Sequence, residues 1–240
     1  MDKQIIEEVR LNRFIAMCGI CSRRKADSLI QQGLVRVNKK VIVALGHKVR
    51  LTDCVEVDGQ TIYTETNQYL LLNKPKGYIT TMSDEKNRST VMELINNACQ
   101  ERLFPVGRLD KETTGLLLFT NDGILAKKLM HPKYKVKKTY NVFLNKNLSK
   151  PHFLKLIQGL HLDDGFIRAD KLNYLNDSKR NLQIEIHVGK NRIVRRIFSF
   201  LGYEVQKLDR CMYSILTKKK LPLGKWRMLT SKELNFFKTL

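Results

Sequence analysis

The 240-residue sequence predicts an α+β protein built from two domains of unequal size. Strand and helix signals intermingle without a regular β-α-β alternation, which favours a mixed, largely antiparallel sheet flanked by helices over a doubly wound one. A polar stretch at residues 64–68 has the composition of a linker and separates a small block from a larger one. We therefore expect a tail at residues 1–9, a first domain at 10–63 and a second domain at 69–240.

The net charge indicates the class of partner. Lys and Arg number 44 against 23 Asp and Glu, which gives a formal charge of +21. Such an excess points to a polyanion, most commonly a nucleic acid, although a basic face that serves only solubility is the plainer alternative. The sequence has no run of about 18 apolar residues, and its N-terminus lacks the apolar core of a signal peptide. We expect a cytoplasmic protein with no membrane partner.

The cysteines do not form a recognisable metal or disulfide pattern. There are five of them, irregularly spaced, and the pair Cys18 and Cys21 forms a lone CxxC with no second pair and no nearby His. We therefore predict reduced, structural thiols and no metal site.

Two helices and several short strands are predicted for the first domain. Apolar residues at helical spacing define the first helix, which Gly19 breaks. Ser22 is a good N-cap for the second helix, and Gly33 is placed to end it. The strands that follow are separated by predicted turns at Asn38–Lys40 and Asp58–Gly59.

Basic residues are concentrated in this first domain. Between Arg10 and Arg50 there are ten basic residues against the single acid Asp27, a net charge of +9. Three of them occupy a helix N-terminus, where cations oppose the helix dipole, so helix stability does not explain them. Contacts with backbone phosphates would explain them. The candidate RNA-contact residues here are Arg10, Arg13, Arg23, Arg24 and Lys25.

Three stretches of this block carry a resemblance to a known RNA-binding module. Residues 10–15, 21–27 and 33–38 resemble the S4 (α-L) RNA-binding domain. The resemblance implies that the helix pair and its adjoining loops grip an RNA backbone, in agreement with the charge.

The larger domain shows alternating strand and helix signals. Thr90 and Glu93 fit a capping box that would open a short helix, and Asn191 is placed to cap the last predicted helix. The remaining predicted elements are strands at 69–73, 116–119, 138–144 and 182–188, a helix ending near 130, and a helix over 149–159.

Asp110 stands out by its setting. An apolar run at 103–106 precedes it and another at 116–119 follows it, with small turn residues on both sides. Its carboxylate is therefore expected on an accessible loop held by two buried strands, a favoured place for a reactive group. A turn residue or one half of a surface ion pair is the plainer alternative.

Four ordered motifs carry a second resemblance. Residues 107–123 are similar to the signature of the RNA pseudouridine synthases, and 72–77, 138–140 and 189–196 match the family's other motifs. More narrowly, the chain resembles the RsuA/RluB/RluF-type group, which modifies ribosomal RNA. The resemblance implies isomerisation of uridine to pseudouridine with no metal and no small-molecule cofactor.

The same resemblance implies roles for individual residues. Asp110 matches the catalytic aspartate, and Tyr140 matches the active-site tyrosine that stacks on the target base. Arg195 matches the basic partner that keeps the aspartate ionised. Arg108 corresponds to the arginine that fills the gap left by the flipped uridine.

Several further positions carry weaker expectations. Lys74, Arg192 and Arg196 are predicted to contact RNA, with loop support the alternative for Lys74 and a plain basic helix face the alternative for the two arginines. Ile193 stands where many relatives have Gln or Glu, so the loss of a hydrogen bond near Arg195 is expected. His131 is interpreted as a structural turn residue.

The leading hypothesis is a ribosomal RNA pseudouridine synthase, most closely of the large-subunit (23S) type, that acts on a structured stem-loop as a monomer. Small-subunit ribosomal RNA or tRNA is the alternative substrate. A non-catalytic RNA-binding ribosome-assembly factor on the same scaffold is the alternative function. A DNA-binding protein is disfavoured because no recognition-helix or zinc-finger pattern is present.

Overall fold

A computed structural model describes residues 8–239 of the chain. The chain divides into two compact units. In the described chain the first contains residues 8–68 together with the short segments 100–103 and 121–123, and the second contains the remaining residues up to 239. Residues 1–7 of the predicted tail lie outside the described residues, whereas its last two residues belong to the first strand.

The described part of the first unit contains two helices packed with six short strands. A two-stranded antiparallel sheet pairs the first strand with the fourth, and the other four strands form a second antiparallel sheet. In chain order the elements are β1 (Glu8–Arg10), α1 (Leu11–Met17), α2 (Arg23–Gln31), β2 (Val35–Val37), β3 (Lys40–Val41), β4 (Lys48–Arg50), β5 (Val55–Val57) and β6 (Gln60–Thr61).

The predicted helix ends of this unit are confirmed. The Ser22 hydroxyl accepts a hydrogen bond from the Lys25 N–H and caps α2. Gly33 follows the C-cap of α2 with a φ of +73°, a conformation that glycine adopts without steric cost. The core beneath the two helices contains Leu11, Phe14, Ile15, Ala26, Ile30, Val35 and Val55.

The second unit is built around one large sheet. Its elements in chain order are β7 (Tyr69–Lys74), β8 (Phe104–Pro105), β9 (Thr114–Thr120), α3 (Gly123–Met130), β10 (Lys138–Leu144), α4 (Lys150–Gln158), β11 (Leu160–Leu162), β12 (Gly165–Ile167), β13 (Lys171–Tyr174), β14 (Asn181–Ile186), α5 (Ile193–Phe200), β15 (Val205–Tyr213), β16 (Leu216–Thr217), β17 (Trp226–Met228) and α6 (Ser231–Lys238).

This sheet is mixed and largely antiparallel, as the sequence predicts. Its order is β13-β14-β10-β15-β9-β7-β17, with β16 added to β15 and β8 added to β9. Only the pairing of β15 with β9 is parallel among the described strands. The leucines of β7 and β9 are fully buried, so these two central strands anchor the loops that leave their ends.

Two predicted helix starts are wrong. The capping-box hydrogen bond from the Thr90 N–H to Glu93 Oε1 forms at 2.6 Å, but the residues after it form successive turns with i to i−3 bonds instead of a helix. Asn191 does not cap α5. The N-cap is Arg192, whose left-handed backbone (φ 44°) turns the chain one residue later.

Candidate active site

A loop at residues 106–113 carries Asp110 between β8 and β9, as expected from the two flanking apolar runs. Lys74, the last residue of β7, lies beneath this loop and is fully buried. Its Nζ donates to the backbone carbonyls of Asp110 (3.1 Å), Lys111 (3.2 Å) and Thr113 (2.9 Å), and to that of Pro75 (3.0 Å). The ammonium group therefore fixes the backbone on which Asp110 stands.

The burial of Lys74 corrects its prediction as an RNA contact. A side chain with no solvent exposure cannot reach a phosphate, and its donors are already used by four carbonyls. Burial lowers the pKa of Lys74 to about 8, so the group still carries its charge at neutral pH.

A second clamp on the loop was not predicted. The Thr80 hydroxyl donates to the Leu109 carbonyl (2.7 Å) and accepts from the Leu109 N–H (3.2 Å). Leu109 itself is buried, so the residue before Asp110 is held by both polar and apolar contacts. A threonine far away in the sequence gives no signal of this role.

Two arginines approach the Asp110 carboxylate. Arg192 Nη1 lies 3.0 Å from Asp110 Oδ2 and donates a hydrogen bond to it, whereas Arg195 Nε lies 3.8 Å from the same oxygen. The sequence predicts Arg195 as the partner of Asp110 and Arg192 as an RNA contact. The structure brings both to Asp110, and Arg192 makes the shorter contact.

The two arginines differ in how firmly they are held. The Arg195 side chain is 17% exposed, and its Nη1 is bound to the Val205 carbonyl at 2.6 Å, whereas the Arg192 side chain is 51% exposed. Arg195 is thus a fixed positive charge and Arg192 a more accessible one. The Nε of Arg195 has no hydrogen-bond partner among residues 8–239, and the nearby Ile193 is apolar and buried.

Asp110 faces a cavity of about 900 Å³ in the second unit. Tyr140, on β10, is almost fully buried and forms part of its wall. Arg108 is exposed and lies on the lining next to Asp110. A space of this size lies within the range of small-molecule sites and admits a nucleotide extruded from its helix.

Arg196 takes part in a different cluster. Its Nη1 and Nη2 lie 2.8 and 2.9 Å from the two carboxylate oxygens of Asp164, in the turn between β11 and β12. Lys190 also lies near this carboxylate, at 3.4 Å. The structure therefore holds Arg196 in a two-point ion pair away from Asp110.

The other predicted positions differ in their exposure to solvent. In the first unit Arg10 is exposed and Arg13 is half-buried, and the run Arg23, Arg24 and Lys25 at the start of α2 is exposed. In the second unit His131 Nδ1 accepts a hydrogen bond from the Lys133 N–H, which gives this histidine a local structural role.

Two further expectations concern the state of the cysteines with metal binding, and membrane-spanning helices. All five cysteines are free thiols, and among residues 8–239 no group of three His, Cys, Asp or Glu side chains could hold a metal ion. Within the same residues, no helix is long and apolar enough to cross a membrane.

A mixed sheet with a clamped aspartate beside two arginines, together with a small basic helical unit, defines a class of RNA-modifying enzyme. The chain belongs to the RNA pseudouridylate synthase family. The model of that family matches residues 68–200, and the model of the S4 domain matches residues 9–61. The protein is therefore an RNA pseudouridine synthase with an N-terminal S4 domain, and RNA is its substrate.

Individual relatives agree with this assignment along most of the chain. The chain is 43% identical to ribosomal large subunit pseudouridine synthase B of Bacillus subtilis, and the match covers 96% of both chains. It is 40% identical to an uncharacterized RNA pseudouridine synthase of Aquifex aeolicus, over 95% of this chain and 92% of that one. A solved pseudouridylate synthase structure superposes with a TM-score of 0.68 at 28% identity, covering 95% of this chain and 99% of the other.

Proposed function

We propose that this protein converts a specific uridine of large-subunit ribosomal RNA into pseudouridine, with Asp110 as the reacting carboxylate. The observation that carries the proposal is the clamped position of Asp110, whose backbone is fixed by buried Lys74 at the edge of a cavity of nucleotide size. The relative named ribosomal large subunit pseudouridine synthase B supports the choice of RNA.

The reaction asks two things of the Asp110 carboxylate. It must be held next to positive charge in a site closed by RNA, and it must reach the ribose of the flipped nucleotide. Arg192 and Arg195, at 3.0 and 3.8 Å from Asp110 Oδ2, supply that positive charge. The rigid loop serves the second, because a group already in position loses little entropy on reaction.

Asp110 then acts at the sugar. It serves as nucleophile at C1′ or as base for the C2′ proton, and either role labilises the N1–C1′ bond. Tyr140 packs against the base, and Arg108 occupies the place that the uridine leaves in the RNA helix. When RNA is bound, one of its phosphates can compete with Asp110 for the Arg192 guanidinium, so Arg192 is available as a phosphate contact.

The proposal also covers the roles of the two domains, the location and oligomeric state of the protein, and its RNA substrate. The domain at residues 10–63 docks the RNA through its exposed arginines, and the domain at 69–240 carries out the chemistry. The protein acts in the cytoplasm as a monomer on a stem-loop of free ribosomal RNA or of an assembly intermediate. The alternative substrates are small-subunit ribosomal RNA and tRNA.

The Asp110→Asn variant tests the proposal directly. It is nearly isosteric but cannot act as a nucleophile or a base, so pseudouridine formation should fall by at least about 10³-fold. RNA affinity should change by no more than about threefold, because the loop remains clamped. The measurement is single-turnover conversion of large-subunit RNA, with product located by carbodiimide-induced reverse-transcription stops.

An exposed aspartate of the same unit supplies the control. Asp177→Asn changes the same functional group in a surface turn and should leave the rate unchanged. Substantial turnover by Asp110→Asn would remove Asp110 from the chemistry. A wild-type enzyme that binds RNA but forms no pseudouridine would favour the assembly-factor alternative.

A further inference from the structure

Two cations line the cavity beside Tyr140 and have no part in the clamp on Asp110. Lys138 lies two residues before Tyr140 on β10, so both side chains project from the same face of the sheet. Arg210 lies on β15 directly opposite Tyr140. Tyr140 is thus flanked by one cation along its own strand and by another across the sheet.

A β-bulge in β15 produces this arrangement. Tyr140 pairs with Arg210 and Thr139 pairs with Met212, so Cys211 is the extra residue between them. Arg210 and Tyr213 are three positions apart, so in a regular strand their side chains would point to opposite faces of the sheet. With the bulge, both line the cavity.

The charges of both cations lack a carboxylate partner. Arg210 is almost fully buried, and its Nε donates to the Leu116 carbonyl at 2.7 Å. Its Nη2 is buried with no hydrogen-bond partner among residues 8–239. The Lys138 Nζ donates only to the backbone carbonyl of His187, at 3.2 Å. Within the described chain neither cation forms an ion pair.

Several other charged groups of this cavity have a charged partner. Asp110 lies beside Arg192 and Arg195, and Asp84 pairs with Arg88 at 2.7 Å. Buried charge without a partner is costly. The Tyr213 ring, whose centre lies 5.1 Å from the Arg210 guanidinium carbon, offsets part of that cost for Arg210. Two cations without a carboxylate partner among residues 8–239, at the wall of a reaction cavity, fit an anion that is present only during the reaction.

The reaction itself supplies such an anion. When the N1–C1′ bond breaks, its electron pair stays on the base, which becomes a uracil anion with charge shared between N1, O2 and O4. The base then turns, and C5 attacks C1′ as the Asp110–C1′ bond breaks and returns its electron pair to the carboxylate; on the route in which Asp110 acts as base, C2′ regains its proton from Asp110 as the C1′–C2′ double bond is used. The C5 proton is released to water and N1 takes up a proton, so reactant and product are isomers and no co-reactant is needed.

We propose that Lys138 binds an oxygen of the detached uracil anion and that the buried charge of Arg210 behind the cavity wall helps to stabilise this anion while the base turns between its two attachment points. The inference rests on the proposed isomerisation. Donors that are aimed at developing charge in a water-poor site are among the strongest sources of rate enhancement. Tyr140 lies between the two cations and provides the surface on which the base turns.

The charged surroundings of Lys138 set the pH at which it can act. Burial, and next the nearby charge of Arg210, lower the pKa of Lys138 to about 8. Tyr213 faces it across the sheet, and its hydroxyl donates to the Leu129 carbonyl. The other charged residues of the lining are Asp84, Arg88, Arg108, Asp110, Lys111, Lys190 and Arg192. The cationic form therefore predominates below about pH 8 and is lost above it.

Substitutions of Lys138 test the proposal. Lys138→Met should lower kcat by about 10²-fold at pH 7 and change KM by less than about threefold, because the anion exists only after binding. For the wild type, kcat/KM should fall above about pH 8 as Lys138 loses its proton. Lys74, whose pKa is also lowered to about 8, contributes to the same fall through the Asp110 loop. Lys138→Arg keeps the cavity charge at every pH of the experiment, so the alkaline fall should become smaller, with only the Lys74 part left.

A neighbouring lysine provides the matched control. Lys137 is exposed and pairs with Glu185 at 3.0 Å, so Lys137→Met removes the same charge outside the cavity and should keep wild-type kcat. Normal kcat in Lys138→Met, or an unchanged alkaline fall in Lys138→Arg, would overturn the proposal. Arg210→Lys should also lower kcat, but its contact with β9 makes the Lys138 variants the deciding ones.

A binding measurement separates this inference from the proposed function. Barbiturate is a pyrimidine anion at neutral pH and imitates the detached base. The wild type should bind it more tightly than it binds neutral uracil, and Lys138→Met should lose that preference by about tenfold. Equal binding of the two probes would count against the anion site even if the wild type forms pseudouridine. A preserved preference without product would overturn the proposed function alone.

Discussion

The ammonium group of Lys74 is shared among four backbone carbonyls, three of which belong to the turn around Asp110. A lysine usually interacts with solvent, whereas this one adds to the turn's own hydrogen bond from the Thr113 N–H to the Asp110 carbonyl (3.0 Å) and satisfies the buried carbonyls around it. The same residue type therefore serves two purposes in this protein, since Lys138 faces the cavity while Lys74 lies beneath the loop.

Replacement of Lys74 should damage both stability and rate. In Lys74→Met the carbonyls of Asp110 and Thr113 lose a charged donor, which should lower the free energy of unfolding by about 1–3 kcal/mol. A looser loop should lower kcat by about tenfold or more. Urea denaturation and single-turnover kinetics measure the two effects. Lys76→Met, an exposed neighbour, should change neither, and equal effects at both positions would argue against the clamp.

Arg192 and Arg195 both contact the Asp110 carboxylate, although the sequence indicates this role for only one of them. They stand three positions apart around the start of α5, and both reach the same oxygen of Asp110. The motif resemblance identifies Arg195 alone as the basic partner of Asp110, because a sequence motif shows which positions match but gives no distances between side chains. The left-handed backbone of Arg192 turns its side chain toward Asp110, and no residue-type preference signals that conformation.

At the scale of elements, the close approach of β9 to β15 joins the two halves of the large sheet. Their parallel pairing runs from Thr114 to Gly115 against Asp209 and Arg210. Gly115 has a φ of +111°, and a Cβ there would lie 2.4 Å from the Arg210 carbonyl oxygen. Any other residue would have to push apart two strands that lead into the site.

The Gly115→Ala variant should therefore be strongly destabilised. Backbone strain and the clash with β15 together should lower the free energy of unfolding by about 2–4 kcal/mol, measured by urea denaturation. Gly123→Ala is the matched control, because its Cβ position is open and the residue begins α3, where alanine is favourable. If both variants unfold at the same urea concentration, the close approach of β9 and β15 contributes little to stability.

At the scale of the whole molecule, the sequence predicts local and periodic features well. The α+β class, the mixed sheet, the Ser22 cap and the turn at Gly33 follow from short-range patterns and are confirmed. The helix expected after Thr90 failed because a capping box satisfies only the first turn, and the residues beyond it do not continue the helix.

Long-range features were harder to predict from the sequence. The loop setting of Asp110 could be deduced from flanking apolar runs, since strand burial is visible in composition. Loop support by Lys74 was one of the two roles that its motif suggested. The clamp by Thr80 joins residues 29 positions apart, and the bulge at Cys211 depends on strand register, so neither was predicted. Neither pairing nor register leaves a local signal in a single sequence.

The division of labour between the two units leads to a prediction about salt. Arg23, Arg24 and Lys25 are exposed at the start of α2, and their contacts with RNA phosphates should release counterions on binding. Replacing all three with Gln should weaken binding of large-subunit RNA. It should also reduce the slope of log Kd against log salt by about 2–3. Filter binding between 50 and 300 mM salt, roughly the range in which counterion release dominates, measures this slope.

A variant of equal charge change distinguishes docking from bulk attraction. Lys171, Lys179 and Lys232 are exposed lysines of the second unit, and their replacement with Gln removes the same net charge. If the basic run on α2 contacts phosphates, its loss should reduce the slope of log Kd against log salt by about two or more. The control variant should reduce this slope much less, because charges far from the RNA are screened by salt. Conversion at saturating RNA should stay at the wild-type rate in the α2 variant, since the proposed function assigns docking to the first unit and chemistry to the second. Equal slopes in the two variants would mean that the first unit attracts RNA only through its overall charge.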